Sequence, residues 1–231
     1  MPFTFDFGPV FAKFGTIWAG VELTLWLSAL GIVLGLGLGT LLAMSRGIVP
    51  RPVQRVLDAY IEVIRNTPFL IQLFMIFFGL PAIGLRLNAT EAAIVTITLN
   101  LGAYATEIIR AGIDSVHPSQ IEAGASLAMT RLQVFRHVVL MPALARVWPS
   151  LTSQFVLTML GTSICSFISV QELSGSAAIV ESDTFRSFET YLVVTATYLL
   201  LSLLLRVALL GAGEMLFPRG SGLRRQMGGR R

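Results

Sequence analysis

Charged residues are scarce in this sequence. Asp, Glu, Lys and Arg make up 13% of the 231 residues, whereas hydrophobic residues make up 54%. A soluble domain usually carries about a quarter charged residues, so these charges are too few to cover the surface of a water-soluble globule. The composition therefore predicts that the chain folds in a lipid bilayer.

Cysteine and histidine are also nearly absent. Cys165 is the only cysteine, which excludes an internal disulfide and a multi-cysteine metal site. The only histidines are His117 and His137, too few for a histidine-based metal site. The apolar segments contain no evident nucleophile with its base and no carboxylate pair, and the chain lacks the Gly-x-x-x-x-Gly-Lys-Ser/Thr loop that binds ATP phosphates. We therefore expect no catalytic residue, metal or cofactor in this chain.

Long apolar runs take up most of the sequence. A bilayer core about 30 Å thick requires roughly 20 apolar residues in a helix. Five segments meet or approach this length: Leu23–Met44, Ala59–Leu80, Ala92–Ile109, Leu151–Val170 and Tyr191–Phe217. The second is the least regular, because its apolar part begins only at Phe69, after Glu62 and Arg65. The sequence thus predicts an all-α integral membrane protein with about five transmembrane helices.

The distribution of basic residues predicts the orientation of these helices. Eleven arginines fall on one side of the predicted spans: Arg46, Arg51, Arg55, Arg131, Arg136, Arg146, Arg219, Arg224, Arg225, Arg230 and Arg231. Three basic residues fall on the other side: Lys13, Arg86 and Arg186. Cytoplasmic loops carry the excess of Lys and Arg, so we expect the N-terminus outside and the C-terminus in the cytoplasm.

This orientation divides the chain into three parts. Residues 1–16 form an external segment, residues 17–216 form the transmembrane domain, and residues 217–231 form a basic cytoplasmic tail. The first apolar run is too long for the core of a signal peptide, so we interpret it as a retained span. The arginines stand in short blocks without interleaved aromatics, so the net charge of +4 does not indicate a nucleic-acid partner.

A row of small residues follows one face of the first span. Gly31, Gly35, Gly39 and Ala43 recur at every fourth position. Such a row lets a second helix approach closely. The second helix belongs either to the same chain or, in the alternative interpretation, to another copy in a dimer.

The connection between spans three and four, at about residues 117–142, is long enough to indicate a function. Ser119 and Glu122 fit a capping box, which predicts a helix with Ser119 as N-cap and Glu122 bonded back to its amide. A second short helix is predicted to end at Pro142. The sequence therefore predicts a short helix, rich in small residues, displayed in the cytoplasm.

This connection resembles the coupling-helix signature of binding-protein-dependent ABC importer permeases. That signature reads Glu-Ala-Ala, three residues, Gly, nine residues, Ile, any residue, Leu-Pro. The residues that match or nearly match it are Glu122, Ala123, Val138 and Leu140. The departures are Gly124 for the second alanine, Ala128 for the glycine, and Met141 for the proline, which follows as Pro142.

Three further segments are similar to the polar amino-acid branch of that family. They are AYIEVIRNTPFLIQLFMIFFGLP at Ala59–Pro81, LGAYATEIIRAGIDSV at Leu101–Val116, and SICSFISVQEL at Ser163–Leu173. The resemblance extends over residues 17–216. It implies a permease subunit that imports polar amino acids across the bacterial inner membrane by alternating access.

The resemblance also implies partners that this chain does not supply. Two ATP-binding subunits, which hold the ATP and Mg²⁺, would each grip one coupling helix. A second permease subunit, the same or a related chain, would complete the path, and an extracytoplasmic binding protein would deliver the amino acid. The residues implied in coupling are Ser119, Glu122, Ala123, Gly124, Ala125, Ala128 and Arg131.

Polar residues within the predicted spans are candidates for the transport path. They are Asn100, Tyr104, Gln154, Thr158, Thr162, Ser163 and Ser166. Polar groups are costly in lipid, so these should face protein or a water-filled cavity, although ordinary hydrogen bonding between helices is an alternative for each. We expect Gln154, Thr158 and Ser166 to share a helical face. The pairs Glu107–Arg110 and Glu62–Arg65, each three residues apart, are expected to be ion pairs.

An ion-coupled secondary transporter or channel subunit is the alternative function. Such a protein needs ionisable residues near the centre of the bilayer, whereas those of this chain cluster at the span ends. A passive assembly subunit would explain the row of small residues but not a helix displayed in the cytoplasm.

Overall fold

The computed structural model describes residues 5–45 and 48–217, which form helices and no strand. The α-helices are α1 Gly8–Ala12, α2 Phe14–Ser45, α3 Arg51–Arg65, α4 Phe69–Phe74, α5 Ala89–Asp114, α6 Pro118–Ser126, α7 Arg131–Gln133, α8 Met141–Gly161, α9 Leu173–Thr184 and α10 Ser187–Leu216. Residues Met75–Gly79 and Val134–Leu140 are π-helical, and Leu80–Ile83 and Thr162–Ile168 are 3₁₀-helical. Arg46 and the five tail arginines used for orientation lie outside the described residues.

Four helices of the described chain are long and apolar enough to cross a membrane. They are Phe14–Ser45, Ala89–Asp114, Arg131–Ile168 and Ser187–Leu216. A fifth candidate is the pair Arg51–Arg65 and Phe69–Ile83, which is bent by 113° at its break. The prediction of an all-α membrane protein with about five spans is confirmed to this extent. The first span starts earlier than predicted, at Phe14, inside the segment assigned to the exterior.

The fourth span differs from its prediction. We expected a helix ending at Pro142 and a separate span from Leu151, but one continuous helix runs from Arg131 to Ile168. A proline in a regular α-helix clashes with the carbonyl four residues before it. Here the wider π-helical turns of Val134–Leu140 precede Pro142, which takes the second position of α8. The prediction that Pro142 ends the helix is therefore wrong.

The row of small residues on α2 packs against α5 of the same chain. A Cβ added at Gly31 would lie 2.4 Å from Ile97, and one added at Gly39 would lie 2.6 Å from Ala105. Only hydrogen fits at these positions, because the two helices are almost in backbone contact. The structure thus favours the interpretation that this face packs within one chain.

Helix α9 was not indicated by the sequence pattern. Its N-cap, Glu172, is fully buried and accepts hydrogen bonds from the amides of Ser174 and Gly175, both at 3.0 Å. The second carboxylate oxygen accepts from the Tyr198 hydroxyl at 2.5 Å and the Thr24 hydroxyl at 3.4 Å. Since these hydroxyls belong to α10 and α2, one carboxylate connects three helices.

Candidate translocation cavity and coupling segment

The break between α3 and α4 is stabilised by side chains that bond to the backbone. Asn66 Nδ2 donates to the Glu62 carbonyl at 2.8 Å, and the Thr67 hydroxyl donates to the Val63 carbonyl at 2.8 Å. Pro68 follows them and has no N–H to continue the helix. The chain therefore leaves its helical path here and starts again, in a new direction, at Phe69.

A buried glutamine holds this break against α5. Gln72 Nε2 lies within hydrogen-bond distance of the Ile64 carbonyl at 2.8 Å and of the Thr67 carbonyl and hydroxyl at 2.9 Å. Its Oε1 accepts from Asn100 Nδ2 at 2.9 Å. Gln72 was not among the predicted path residues. A single amide within the apolar run Phe69–Phe74 was the sequence signal that could have identified it.

A cavity of about 340 Å³ lies beside this break. Its lining comes from the break itself, from α5 and from α8, and includes Thr67, Pro68 and Leu157. Four of the seven predicted path residues line it: Asn100, Tyr104, Gln154 and Thr158. The volume falls within the range of about 300–1,000 Å³ that is typical of small-molecule sites.

The other three predicted path residues do not line this cavity. Thr162 is buried and donates to the Met159 carbonyl at 2.7 Å, and Ser163 donates to the Leu160 carbonyl at 2.7 Å. Ser166 lines a separate depression of about 260 Å³. The expectation that Ser166 shares a face with Gln154 and Thr158 is wrong, because the helix tightens to a 3₁₀-helix from Thr162 and the side-chain direction shifts.

The hydrogen bonds of the cavity leave the Gln154 amide and the amide oxygen of Asn100 available. Thr158 donates to the carbonyl of Gln154 at 2.9 Å, and the Tyr104 hydroxyl lies 3.5 Å from the Arg65 carbonyl. Within residues 5–45 and 48–217, the side-chain amide of Gln154 forms no hydrogen bond, and Asn100 Oδ1 accepts none. The cavity can therefore offer both donors and acceptors to a bound molecule.

A charged cluster connects α3 to α5 next to the cavity. Arg65 Nη1 lies 3.0 Å from Glu107 Oε2, and Arg110 Nη1 lies 2.9 Å from Asp58 Oδ1. The predicted pair Glu107–Arg110 is present at 3.4 Å. The prediction that Glu62 and Arg65 form an ion pair is wrong, because the Arg65 side chain pairs with Glu107 on α5 and not with a residue of its own helix. The Arg65 guanidinium also lies over the Tyr104 ring, 5.7 Å from its centroid.

The short helix predicted between spans three and four is present, but its start differs. The N-cap of α6 is His117, whose Nδ1 accepts from the Ser119 amide at 3.2 Å. Pro118 takes the first helical position, which its fixed φ favours. A proline also makes the residue before it extended, so His117 has the backbone conformation of an N-cap. Ser119 is therefore inside the helix and is not its N-cap. Glu122 lies in the second turn and does not form a capping box.

The residues of α6 divide into a buried and an exposed face. Gly124 is buried, and a Cβ there would lie 3.2 Å from Val134 and 3.4 Å from Val138. The coupling candidates Ser119, Glu122, Ala123, Ala125, Ala128 and Arg131 are exposed. Apolar side chains are exposed among them, with Ile121 at 41% and Leu127 at 76% accessibility. In the part of the chain that the structure describes, the Glu122 carboxylate has no hydrogen-bond or ion-pair partner.

Helix α6 ends in a left-handed residue. Ala128 has a φ of 55°, its amide donates to the Ala125 carbonyl at 3.0 Å, and the Met129 amide donates to the Gly124 carbonyl at 3.3 Å. This position usually carries glycine, because a Cβ is disfavoured in the left-handed region. The next helix begins with a capping box that the sequence analysis missed, in which Thr130 and Gln133 bond reciprocally.

A family model and several known proteins match this chain. The model of the binding-protein-dependent transport system inner membrane component matches residues 14–212. The glutamine transport system permease protein GlnP of Escherichia coli (strain K12) is 35% identical over 203 residues, 87% of this chain and 93% of that protein. The L-cystine transport system permease protein TcyL of Bacillus subtilis (strain 168) is 33% identical over 190 residues, 79% of this chain and 80% of that protein.

Two solved structures share the fold. The crystal structure of an amino acid ABC transporter with histidines matches with a TM-score of 0.84 and 33% identity, over 92% of this chain and 100% of the other. An inward-facing structure of the methionine ABC transporter MetNI matches with a TM-score of 0.67 and 21% identity, over 87% and 94%. The chain belongs to the family of inner membrane components of binding-protein-dependent transport systems, and it is the permease subunit of an amino-acid ABC importer.

Proposed function

We propose that α6 is the coupling helix of this permease and docks on an ATP-binding subunit in the cytoplasm. The observation that carries this is an exposed helix between two candidate spans, with Glu122 unpaired among the described residues and Ile121 and Leu127 open to a partner. Apolar groups that surround an unpaired charge fit a protein interface better than a solvated surface. The positive-inside distribution of arginines supports the same side for α6 and the C-terminus.

The full importer requires components beyond this chain. Two ATP-binding subunits bind ATP and Mg²⁺ and supply the energy, and a second permease, the same or a related chain, completes the membrane domain. An extracytoplasmic binding protein delivers a polar amino acid, as the names of the glutamine and cystine relatives support. The assembly lies in the bacterial inner membrane, and this chain catalyses no reaction itself.

The path proposed for the amino acid passes through the cavity beside the broken span. Asn100, Tyr104, Gln154 and Thr158 supply its polar lining, and Thr162, Ser163 and Ser166 lie further along the same helix. Movement of α6 would reach this cavity through the continuous helix that carries Gln154 and Thr158, because Gly124 of α6 packs against Val134 and Val138 of that helix. Such a packed contact suits alternating access.

Charge reversal at Glu122 tests the coupling role. The chain is tagged, expressed with its neighbouring genes in the source bacterium and purified in mild detergent, and the co-purified ATPase subunit is quantified. We expect Glu122→Arg to reduce the amount of co-purified ATPase subunit by about tenfold or more, because the variant loses a charged interface contact. Because Glu122 caps nothing, the change leaves the start of α6 intact.

Glu214→Arg is the matched control. Glu214 is exposed near the end of α10, and this variant makes the same change of charge away from α6. We expect it to retain the ATPase subunit. Equal recovery of the ATPase with wild type and Glu122→Arg would contradict the coupling role of α6.

A further inference from the structure

We infer that the cavity selects amino acids whose side chains carry no charge, and that Gln154 is the residue that recognises the substrate side chain. This inference rests on the proposed path and adds the substrate class to it. It stands on two features of the cavity: the absence of formal charge among its described lining residues, and the Gln154 amide, which is partly exposed and forms no hydrogen bond with another described residue.

The lining is polar but uncharged. Its polar side chains are hydroxyls and amides: Thr67, Asn100, Tyr104, Gln154 and Thr158. The Arg65 guanidinium lies near the cavity, over the ring of Tyr104, but it is already paired with Glu107 at 3.0 Å. The two α-charges that all amino acids share offset each other, whereas a charged side chain would add a net charge that no described lining residue pairs. Burial of an unpaired charge is strongly unfavourable.

The hydrogen-bond network determines which groups a substrate can meet. Three oxygens surround Gln72 Nε2, which orients Gln72 Oε1 towards Asn100 Nδ2 and leaves Asn100 Oδ1 as an acceptor. This acceptor is held in place and suits the α-ammonium group that all amino acids share. Gln154 differs, because its amide has no partner among the described residues and can both donate and accept.

An amide or hydroxyl side chain matches Gln154 in both directions. Each of these groups has a donor and an acceptor, so it can pair with the Gln154 amide without leaving a polar atom unsatisfied. An ammonium or guanidinium can only donate, and a carboxylate can only accept. Selection by charge thus comes from the whole lining, whereas recognition of the polar group comes from one residue.

Direct binding measurements test this selection without the external binding protein. Radiolabelled L-glutamine, L-arginine and L-glutamate are added separately to the purified permease–ATPase complex, and equilibrium dissociation constants are measured. We expect wild type to bind L-glutamine at least about tenfold more tightly than either charged amino acid, since a difference of 1.4 kcal/mol is tenfold.

Two variants of Gln154 and one control complete the test. Gln154→Glu supplies a carboxylate, so we expect it to shift the preference towards L-arginine by about tenfold or more. Gln154→Leu should weaken the binding of L-glutamine without strengthening the binding of L-arginine. Gln120→Glu makes the same substitution at an exposed position of α6 that does not line the cavity, and should leave the preference unchanged.

The outcomes separate this inference from the proposed path. Gly161 lines the cavity, and a Cβ added there has no packing neighbour within 4 Å among the described residues, so Gly161→Phe fills the cavity and should abolish binding of every amino acid. If Gly161→Phe abolishes binding but wild type binds L-arginine as tightly as L-glutamine, or Gln154→Glu does not shift the preference, the selection is overturned and the path stands. If Gly161→Phe leaves binding intact, or wild type binds no amino acid, both are overturned.

Discussion

Ala128 illustrates how one residue can depart from a family pattern at a structural cost. The resemblance places a glycine at this position, and the structure explains why, since the residue has a φ of 55°. Alanine in the left-handed region costs roughly 1–2 kcal/mol relative to its right-handed conformation. The end of α6 in this chain is therefore less stable than the same turn with glycine.

Replacement of Ala128 should reveal that cost. We expect Ala128→Gly to stabilise α6 by about 1 kcal/mol, which slows hydrogen exchange of the α6 amides about fivefold in the detergent-purified protein. Mass spectrometry of deuterium uptake measures this. Ala123→Gly is the control, because Ala123 is inside the helix and glycine there should accelerate exchange. Faster exchange in Ala128→Gly would contradict the strain assigned to the turn.

At the scale of elements, the contact between α2 and α5 has the tightest approach at its glycines. A Cβ at Gly39 would lie 3.0 Å from both the Gly102 carbonyl oxygen and the Thr106 amide nitrogen. Backbone atoms cannot move aside as a flexible side chain can, so this position does not tolerate a larger residue without separation of the helices. Gly37 lies on the same helix, and a Cβ added there has no packing neighbour within 4 Å among the described residues.

These two glycines provide a matched pair of variants. We expect Gly39→Val to destabilise the protein by about 3 kcal/mol, which corresponds to a fall in Tm of roughly 5–10 °C, and Gly37→Val to have little effect. Tryptophan fluorescence of the detergent-purified chain measures both transitions. A normal Tm for Gly39→Val with loss of an oligomer would instead support the dimer interpretation of this face.

The sequence predicted the regular helices well and the irregular ones poorly. Apolar runs identified the spans, because a bilayer requires length and apolarity that are visible in one dimension. The continuous helix through Pro142 was missed because it depends on π-helical turns, for which no sequence signal was recognised. Helix α9 was missed because its N-cap, Glu172, is stabilised by Thr24 and Tyr198, which lie far away in sequence.

The candidate site was only partly predicted, because contacts between residues that are distant in sequence leave no local signal. Asn100, Tyr104, Gln154 and Thr158 were identifiable as polar residues within apolar runs, and they line one cavity. Gln72 has the same sequence signal, yet its importance comes from hydrogen bonds across the break in the second span. The coupling candidates were predicted from the family signature and stay a prediction, whereas the N-cap at His117 depends on Pro118 following it.

At the scale of the whole molecule, the described residues contain two candidate functional regions that contact the same long helix. The cavity lies beside the break between α3 and α4, and α6 precedes and packs against the long helix Arg131–Ile168 that lines the cavity. In the proposed mechanism, a motion of α6 changes access to the cavity through this contact. A secondary transporter would use an ion gradient instead and would not require a partner at α6.

The most direct test of the account is the energy source of transport. The chain is purified with its partner subunits and reconstituted in proteoliposomes, with ATP on the ATPase side and the binding protein on the other. Uptake of radiolabelled L-glutamine is then measured with and without ATP and a proton ionophore. We expect accumulation that requires ATP hydrolysis and persists with the ionophore. Uptake that proceeds without ATP and stops when the ion gradient collapses would contradict the account and favour a secondary transporter.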